Sequence, residues 1–520
     1  MQRSLAIALT LFCSLPVLAQ DLFTFTKIAD SNTSIPGTTS GAFDVQRPFF
    51  DAVIDGDSVV FIGSGSENGQ RISGVYLERG GILSRVADTR TLMPGTDEVF
   101  DGYDRVFVDG ETVAFSAIVV SPPLAGVYRA TGGGPLEIIA DSTTPIPGDS
   151  VNFRNFGDVA VAGEDLLFGG GFEFHGFVWH QDGLFRATSN GIVPVIDGST
   201  PIPQGTGNFS LVGEIDLDET GFAFALPREN SSVDDGLYKF VGGQLERVAD
   251  LTTMPPGGTL PFNSLRRFSY DQGEVAFVAT TSSGSGVYAD RNGTLELVAD
   301  NSTVVPSVGR NFAGFSNRVA FSEGRVAFIP FWNPPGSLSV SGLFLADQGV
   351  IHEVLREGEV LDGRVIEHLN ISPGAMSAVS LVAEVGFADG HEALYKIGLF
   401  VDEDDCRSSG RLCLNQDRFR VEVDWQDFEG NTGIGQRVGF RSEDSGLFWF
   451  FDPDNWEVLV KVLDGCPING HFWVFTAATT NVQYTLRVTD LETGQFKEYS
   501  NALGASAPAV TDITAFASCP

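Results

Sequence analysis

Cysteine is nearly missing from this chain: there are five, and none lies between Cys13 and Cys406. Six histidines in 520 residues leave few imidazoles for a metal centre. Cationic side chains are also scarce, 32 Lys and Arg against 67 Asp and Glu, for a net charge of -35. A chain this acidic is repelled by nucleic acid and by anionic membranes, so neither is a partner. After the first twenty residues no apolar run approaches the roughly 18 needed to cross a bilayer. No Gly-x-Ser-x-Gly elbow, His-Glu-x-x-His pair or Gly-rich phosphate loop occurs. The sialidase-type Asp box, the Trp-Asp ending of WD repeats and the paired glycines of kelch repeats are missing as well.

What is present is a repeat. The phrase Gly286-Val287-Tyr288, a turn at Asn292-Gly293, and Leu295 to Asp300 reads as strand, tight turn, strand. Its closing acid recurs as Asp30, Asp88, Asp141, Asp197, Asp250 and Asp300, with Glu357 in the matching place, at intervals of about 50 to 58 residues. Upstream in each period lies an apolar strand, as in Val59-Val60-Phe61, Val113-Ala114-Phe115 and Val275-Ala276-Phe277, with a degenerate copy at Val382-Ala383-Glu384. The runs are short, β-branched and aromatic, and Gly, Asp and Asn bound them, which favours strand over helix. Seven copies of strands two and three match seven of strand four only if Phe23 to Asp30 serves the last unit. The expected fold is therefore an all-β, seven-bladed β-propeller over residues 20–400, its ring closed by the N-terminal strand.

Residues 1–19 read as a secretory signal peptide, with Arg3 before an apolar run. The product is expected to be secreted, extracellular or periplasmic, and monomeric. An acidic linker, 401–405, leads to a module over 406–520 that holds Cys406, Cys413, Cys466 and Cys519. An even count in an exported domain implies disulfides, and of three possible pairings Cys406–Cys413 with Cys466–Cys519 is the one expected. Alternating aromatic strands there predict a small β-sandwich.

Candidate chemistry is sparse. The repeat-end acids Asp30, Asp88, Asp141, Asp197, Asp250 and Asp300 read as structural acceptors for the Ser/Thr-rich loops behind them. Asp216-Leu217-Asp218 resembles the start of a calcium loop, although Pro227 stands where the twelfth-position Glu belongs. Calcium at Asp216 and Asp218 is the only cofactor considered. Turns between strands one and two, and three and four, are short, whereas the other two sets of connections are long and gather at one end. The long set includes Gly169 to Asp182, with His175, Trp179 and His180, and Ile329 to Ser341, with Trp332. These four are the candidate ligand-binding residues, since an aromatic face suits both sugars and peptides. The leading expectation is a non-enzymatic binding or interaction protein for an extracellular glycan or protein. The alternative is a propeller enzyme, a hydrolase or lyase acting on an extracellular polymer.

The segments Cys413-Leu414-Asn415, Trp425-Gln426-Asp427-Phe428, Phe448-Trp449-Phe450-Phe451 and Val460 to Gly465 resemble a recurrent C-terminal module of exported bacterial proteins. That resemblance covers about 405 to 520 and implies a shared accessory part, not a reaction. The N-terminal repeats resemble those of uncharacterised secreted propeller-like proteins.

Overall fold

The computed structural model describes residues 23–120, 123–163, 165–172, 182–227, 234–305, 309–334, 339–399, 411–415, 418–438, 442–452 and 455–519. The leader, the acidic linker, Cys406, His175, Trp179 and His180 lie outside them. The chain divides into two compact units, Met1–Met376 with Leu381–Leu399 and Ser377–Ser380 with Phe400–Pro520, and both are built of antiparallel strands.

The first unit is a series of four-stranded meanders. The fifth is representative: Ser264–Asp271, Glu274–Thr281, Gly284–Arg291 and Thr294–Asp300, each paired with the next. Its two-residue turns Gln272-Gly273 and Asn292-Gly293 have φ of 50° and 82°, and 50° and 78°. Both central residues are left-handed, the turn geometry that matches strand twist. In the fourth strand the register skips Val298, so that Leu297 faces Tyr288 and Ala299 faces Val287. The same skip recurs at Val86, Ile139, Val195 and Val248.

The N-terminal strand Phe23–Asp30 carries that skip too, at Ile28, and pairs with Glu392–Leu399. It is thus the fourth strand of a meander whose first three, Arg364–Asn370, Ser380–Phe387 and Glu392–Leu399, come from the far end of the unit. Among the described residues this completes seven such sheets, the fourth and fifth joined by one Asp234–Leu265 pair.

Apolar side chains pack between consecutive sheets. One core joins Ala223, Leu237 and Ala249 of the fourth sheet to Phe268, Val275 and Phe277 of the fifth. Another joins Ala29, Val382 and Leu394 of the seventh to Ile54, Val59 and Phe61 of the first. Six sheets share an aromatic knot. In the fifth, Phe262 from the preceding loop meets Tyr288 edge-on at 5.0 Å, and Tyr288 stacks on Phe277 at 5.8 Å. The seventh sheet has Glu384 where the others carry that central Phe.

The second unit has two five-stranded antiparallel sheets sharing one core, with Val421, Val423, Leu486 and Val488 from one and Val458, Val460 and Val474 from the other. Cys466 and Cys519 are joined by a disulfide. Cys413 is disulfide-bonded as well, and its expected partner Cys406 is among the residues not described.

Candidate functional site

The first strand of most sheets is interrupted in register, and the break re-aims charged side chains. It falls between Phe50 and Val53, Tyr103 and Arg105, Phe156 and Val159, Leu265 and Phe268, and Phe315 and Val319. The residues at or inside these breaks include Asp51, Asp104, Arg105, Asp158, Arg267 and Arg318. Asp51, Arg105, Asp158, Glu214 and Arg267, from five consecutive sheets, line one cavity together with Pro373 of the seventh. The cavity is small, ≈ 40 Å³, enough for a few water molecules.

These charges largely answer one another. Arg105 Nε lies 2.6 Å from Asp158, and Arg267 lies 2.5 Å from Glu214. The Asp158 carboxylate, the largest influence on Arg105, holds it firmly charged. Asp51, at φ 54°, accepts a hydrogen bond from Val106 N–H at 2.9 Å. Burial pushes the carboxyls of Asp51 and Glu214 up, and that of Asp104 up to about 6. Arg318 is pulled down, first by burial and then by Arg267. Near it Glu384 accepts from Asn370 Nδ2 at 2.8 Å, while its other oxygen is buried with no hydrogen-bond partner. Burial lifts Glu384 to about 7. Among the described residues its lining holds no Ser, Cys or His, and what it offers is carboxylate and guanidinium groups with room for water.

At the end of the sheets where second strands finish, apolar side chains reach solvent. Ile118 is 44% exposed, Phe172 39% and Phe331 37%. Three backbone positions correspond: Ile118, Gly171 and Phe331 each accept from a first-strand entry residue, Asp101 N–H, Arg154 N–H and Ala313 N–H, and Phe172 follows Gly171 by one residue. Arg154 also sits over the Phe172 ring, 5.2 Å from its centroid.

Several expectations need revising here. Trp332 is buried, edge-on to Phe344 at 6.0 Å. Side chains alternate along a strand, so Trp332 points inward with Phe328 and its neighbour Phe331 takes the outward place. The connections between second and third strands are not uniformly long. The first sheet uses Asn68-Gly69, the fifth Ser282-Ser283 and the seventh only residues 388–391. Asp216 is buried and accepts from Tyr270 N–H at 2.8 Å, while Asp218 accepts from Thr220 and Gly221 N–H at 2.6 and 3.2 Å. Among the described residues no three His, Cys, Asp or Glu side chains are grouped to hold a metal.

Each repeat-end aspartate closes a turn. Asp197 accepts from Ser199 N–H at 2.8 Å and Ser199 Oγ at 2.6 Å, and its own N–H donates to Thr200 Oγ1 at 3.1 Å. Equivalent bonds link Asp30 to Asn32 and Thr33, Asp88 to Arg90 and Thr91, Asp141 to Thr143 and Thr144, Asp250 to Thr252 and Thr253, and Asp300 to Ser302 and Thr303. Of the first-strand charges at the cavity, sequence reasoning singled out Asp216 alone, and as a calcium ligand. The degenerate Val382-Ala383-Glu384 marked the seventh sheet.

The chain belongs to the family described as a family of unknown function (DUF7453), whose model matches residues 17–405. No curated protein matches it. Among solved structures it is similar to the β-propeller domain of the Trilobed protease from Pyrococcus furiosus, at 12% identity over 68% of this chain and 95% of that one, TM-score 0.40. It is also similar to an oligogalacturonate lyase in complex with manganese, at 11% identity over 72% and 96%, TM-score 0.39. A third is the N-terminal domain of Nup159, at 9% identity over 74% and 98%, TM-score 0.30.

Proposed function

We propose that this member of a family of unknown function is an exported, non-enzymatic binding protein built on a closed seven-bladed β-propeller. Seven meanders supply the blades, and the cavity lined by their first strands marks the axis. Two links across the chain ends support closure: the core shared by Val382 and Phe61, and the Ile54 N–H bond to Gly374 C=O at 3.0 Å. Export rests on the leader-like residues 1–19 and the Cys466–Cys519 disulfide. Residues 406–520 act as an accessory module.

The observation that carries the reading is a contrast between axis and rim. The axial cavity is filled by mutually paired charges, while the long-connection end presents Ile118, Phe172 and Phe331. Exposed apolar side chains at these strand ends form a docking rim for an extracellular glycan or protein. The opposite end is tied off blade to blade, by Arg79 with Glu111, Arg291 with Gly324 C=O and Lys396 with Asp57. One observation favours the enzymatic alternative: Glu384, held near pH 7 with an unpartnered oxygen, has the character of a general acid. A screen of extracellular glycans and proteins, repeated with Phe172→Ala and Phe331→Ala, tests the binding reading. Retained binding by both folded variants would place the ligand elsewhere. Turnover of a polymer, abolished by Glu384→Gln, would favour the enzyme.

A further inference from the structure

A second cavity lies between the seventh and first sheets, at the end where second strands finish. Its volume is ≈ 330 Å³, and it is lined by Gln46, Arg47, Glu367, His368, His391 and Glu392, with Phe387 and Gly390 beside them. Two of the chain's six histidines meet there. Beside it the seventh sheet joins its second and third strands through residues 388–391.

Three local features hold these groups in place. His368 follows a register break after Ile366 and faces Gly386 in the neighbouring strand. A Cβ at Gly386 would stand 1.8 Å from the imidazole, so the ring occupies the space that any larger residue there would take. Glu392 is buried, and its Oε1 lies 3.5 Å from His368 Nε2. Arg47 has φ 49°, a left-handed backbone in a non-glycine residue, of the kind retained where surroundings fix it. Phe387 is buried and stacks with Arg364 at 5.9 Å, giving the pocket an apolar wall.

The chemistry narrows the ligand. One guanidinium and two imidazoles face two carboxylates, so neither sign dominates. Among the described residues no metal-holding group forms, and one of the two carboxylates, Glu392, already has His368 beside it. The net charge of -35 opposes the approach of an anion. What remains is an uncharged ligand rich in paired donors and acceptors. Carboxylate, amide and guanidinium groups each offer two parallel hydrogen bonds, the spacing of vicinal hydroxyls. A few convergent polar groups around an apolar wall make a small-ligand site. We infer that this pocket is a subsite for one uncharged sugar unit of an extracellular glycan. It rests on the reading that the long-connection end is the binding end, and it names the ligand class.

The test is calorimetric titration of the full chain with neutral gluco-, manno- and galacto-oligosaccharides, and with a uronate oligosaccharide and CaCl₂ for comparison. Glu367→Gln exchanges an acceptor oxygen for a donor, His391→Ala removes a hydrogen-bonding group, and Gly386→Ala displaces the His368 imidazole without removing any. Phe172→Ala reports on the apolar rim. A neutral saccharide should bind saturably, at least tenfold more weakly to Glu367→Gln and to Gly386→Ala, with each variant's melting checked. If Gly386→Ala does not fold, Glu367→Gln and His391→Ala carry the comparison. Saturable binding of only the uronate or calcium, or of nothing, overturns the inference. Binding weakened by Phe172→Ala alone overturns the pocket and keeps the binding end. Binding untouched by every variant overturns both.

Discussion

Replacing Glu384 by Gln should make the protein more stable at alkaline pH and leave it nearly unchanged at mildly acidic pH. The carboxyl sits on the second strand of the seventh sheet, where six other sheets carry Phe. Burial raises it from an ordinary 4.5 to about 7, against the opposing hydrogen bond from Asn370 and the attraction of Arg318. Between those two values the native state holds a proton that the unfolded chain has released. Stability from this group is therefore full below pH 4.5 and falls as pH rises through 7. A shift of this size corresponds to about 3 kcal/mol at pH 8.5, at 1.36 kcal/mol per pH unit. Gln keeps the shape and the Asn370 contact but cannot ionise, so it should recover most of that. Denaturant unfolding of both proteins at pH 5 and pH 8.5 gives the double difference, in which titrations common to both cancel. Asp216 and Asp271, also raised to about 7 by burial, cancel in this way. Equal differences at the two pH values would show that Glu384 is not held protonated, and its unpartnered oxygen would need another explanation.

Deleting Phe23–Asp30 should destabilise the first unit as a whole, because it removes a paired fourth strand and the buried Phe23 and Ala29; hydrogen exchange confined to the seventh sheet would refute closure. Asp197→Ala should cost about 1 kcal/mol, as expected for loss of a turn-closing acceptor. Hydrogen bonds from Ser199 lower this carboxyl, so its contribution is present above the unfolded pKa and lost as acid titration passes the folded one; a variant whose acid unfolding matches the parent would contradict this. Cys466→Ser should cost the second unit up to about 4 kcal/mol, from a loop closed over a separation of 53 residues, with first-unit melting unchanged in calorimetry. Phe172→Ala and Phe331→Ala should abolish ligand binding while shifting melting little, since both rings are exposed.

The repeat was legible because its punctuation is local. Gly and Asp at fixed offsets mark turns, and the surplus strand at Phe23 can be matched to the last unit by counting alone. The structure adds that this strand carries the same register skip, at Ile28, as the fourth strands. Trp332 was readable from parity: counting by twos from Phe328 puts it inside and Phe331 outside. Apart from Asp216, the axial charges were not readable. Asp51, Asp158 and Arg318 sit in register breaks, which destroy the alternation that assigns a residue to a face. A charge in a broken strand looks like an edge or a loop until the neighbouring strands are known. The pairing of Arg105 with Asp158, 53 positions away, has no local signature at all.

Departures from the repeat collect in the sheet made from both chain ends. There Glu384 replaces Phe, Pro373 stands at the cavity among charged first-strand residues, and Ala393 stands opposite Asp30 where Gly74 and Gly286 face Asp88 and Asp300. The His368 ring fills the space over Gly386. The seventh sheet gives up the aromatic knot that the other six share, and local departures of this kind collect at functional sites. The axial cavity and the sugar-sized pocket both border this sheet, which makes it the place where a change of residue alters binding before it alters the fold.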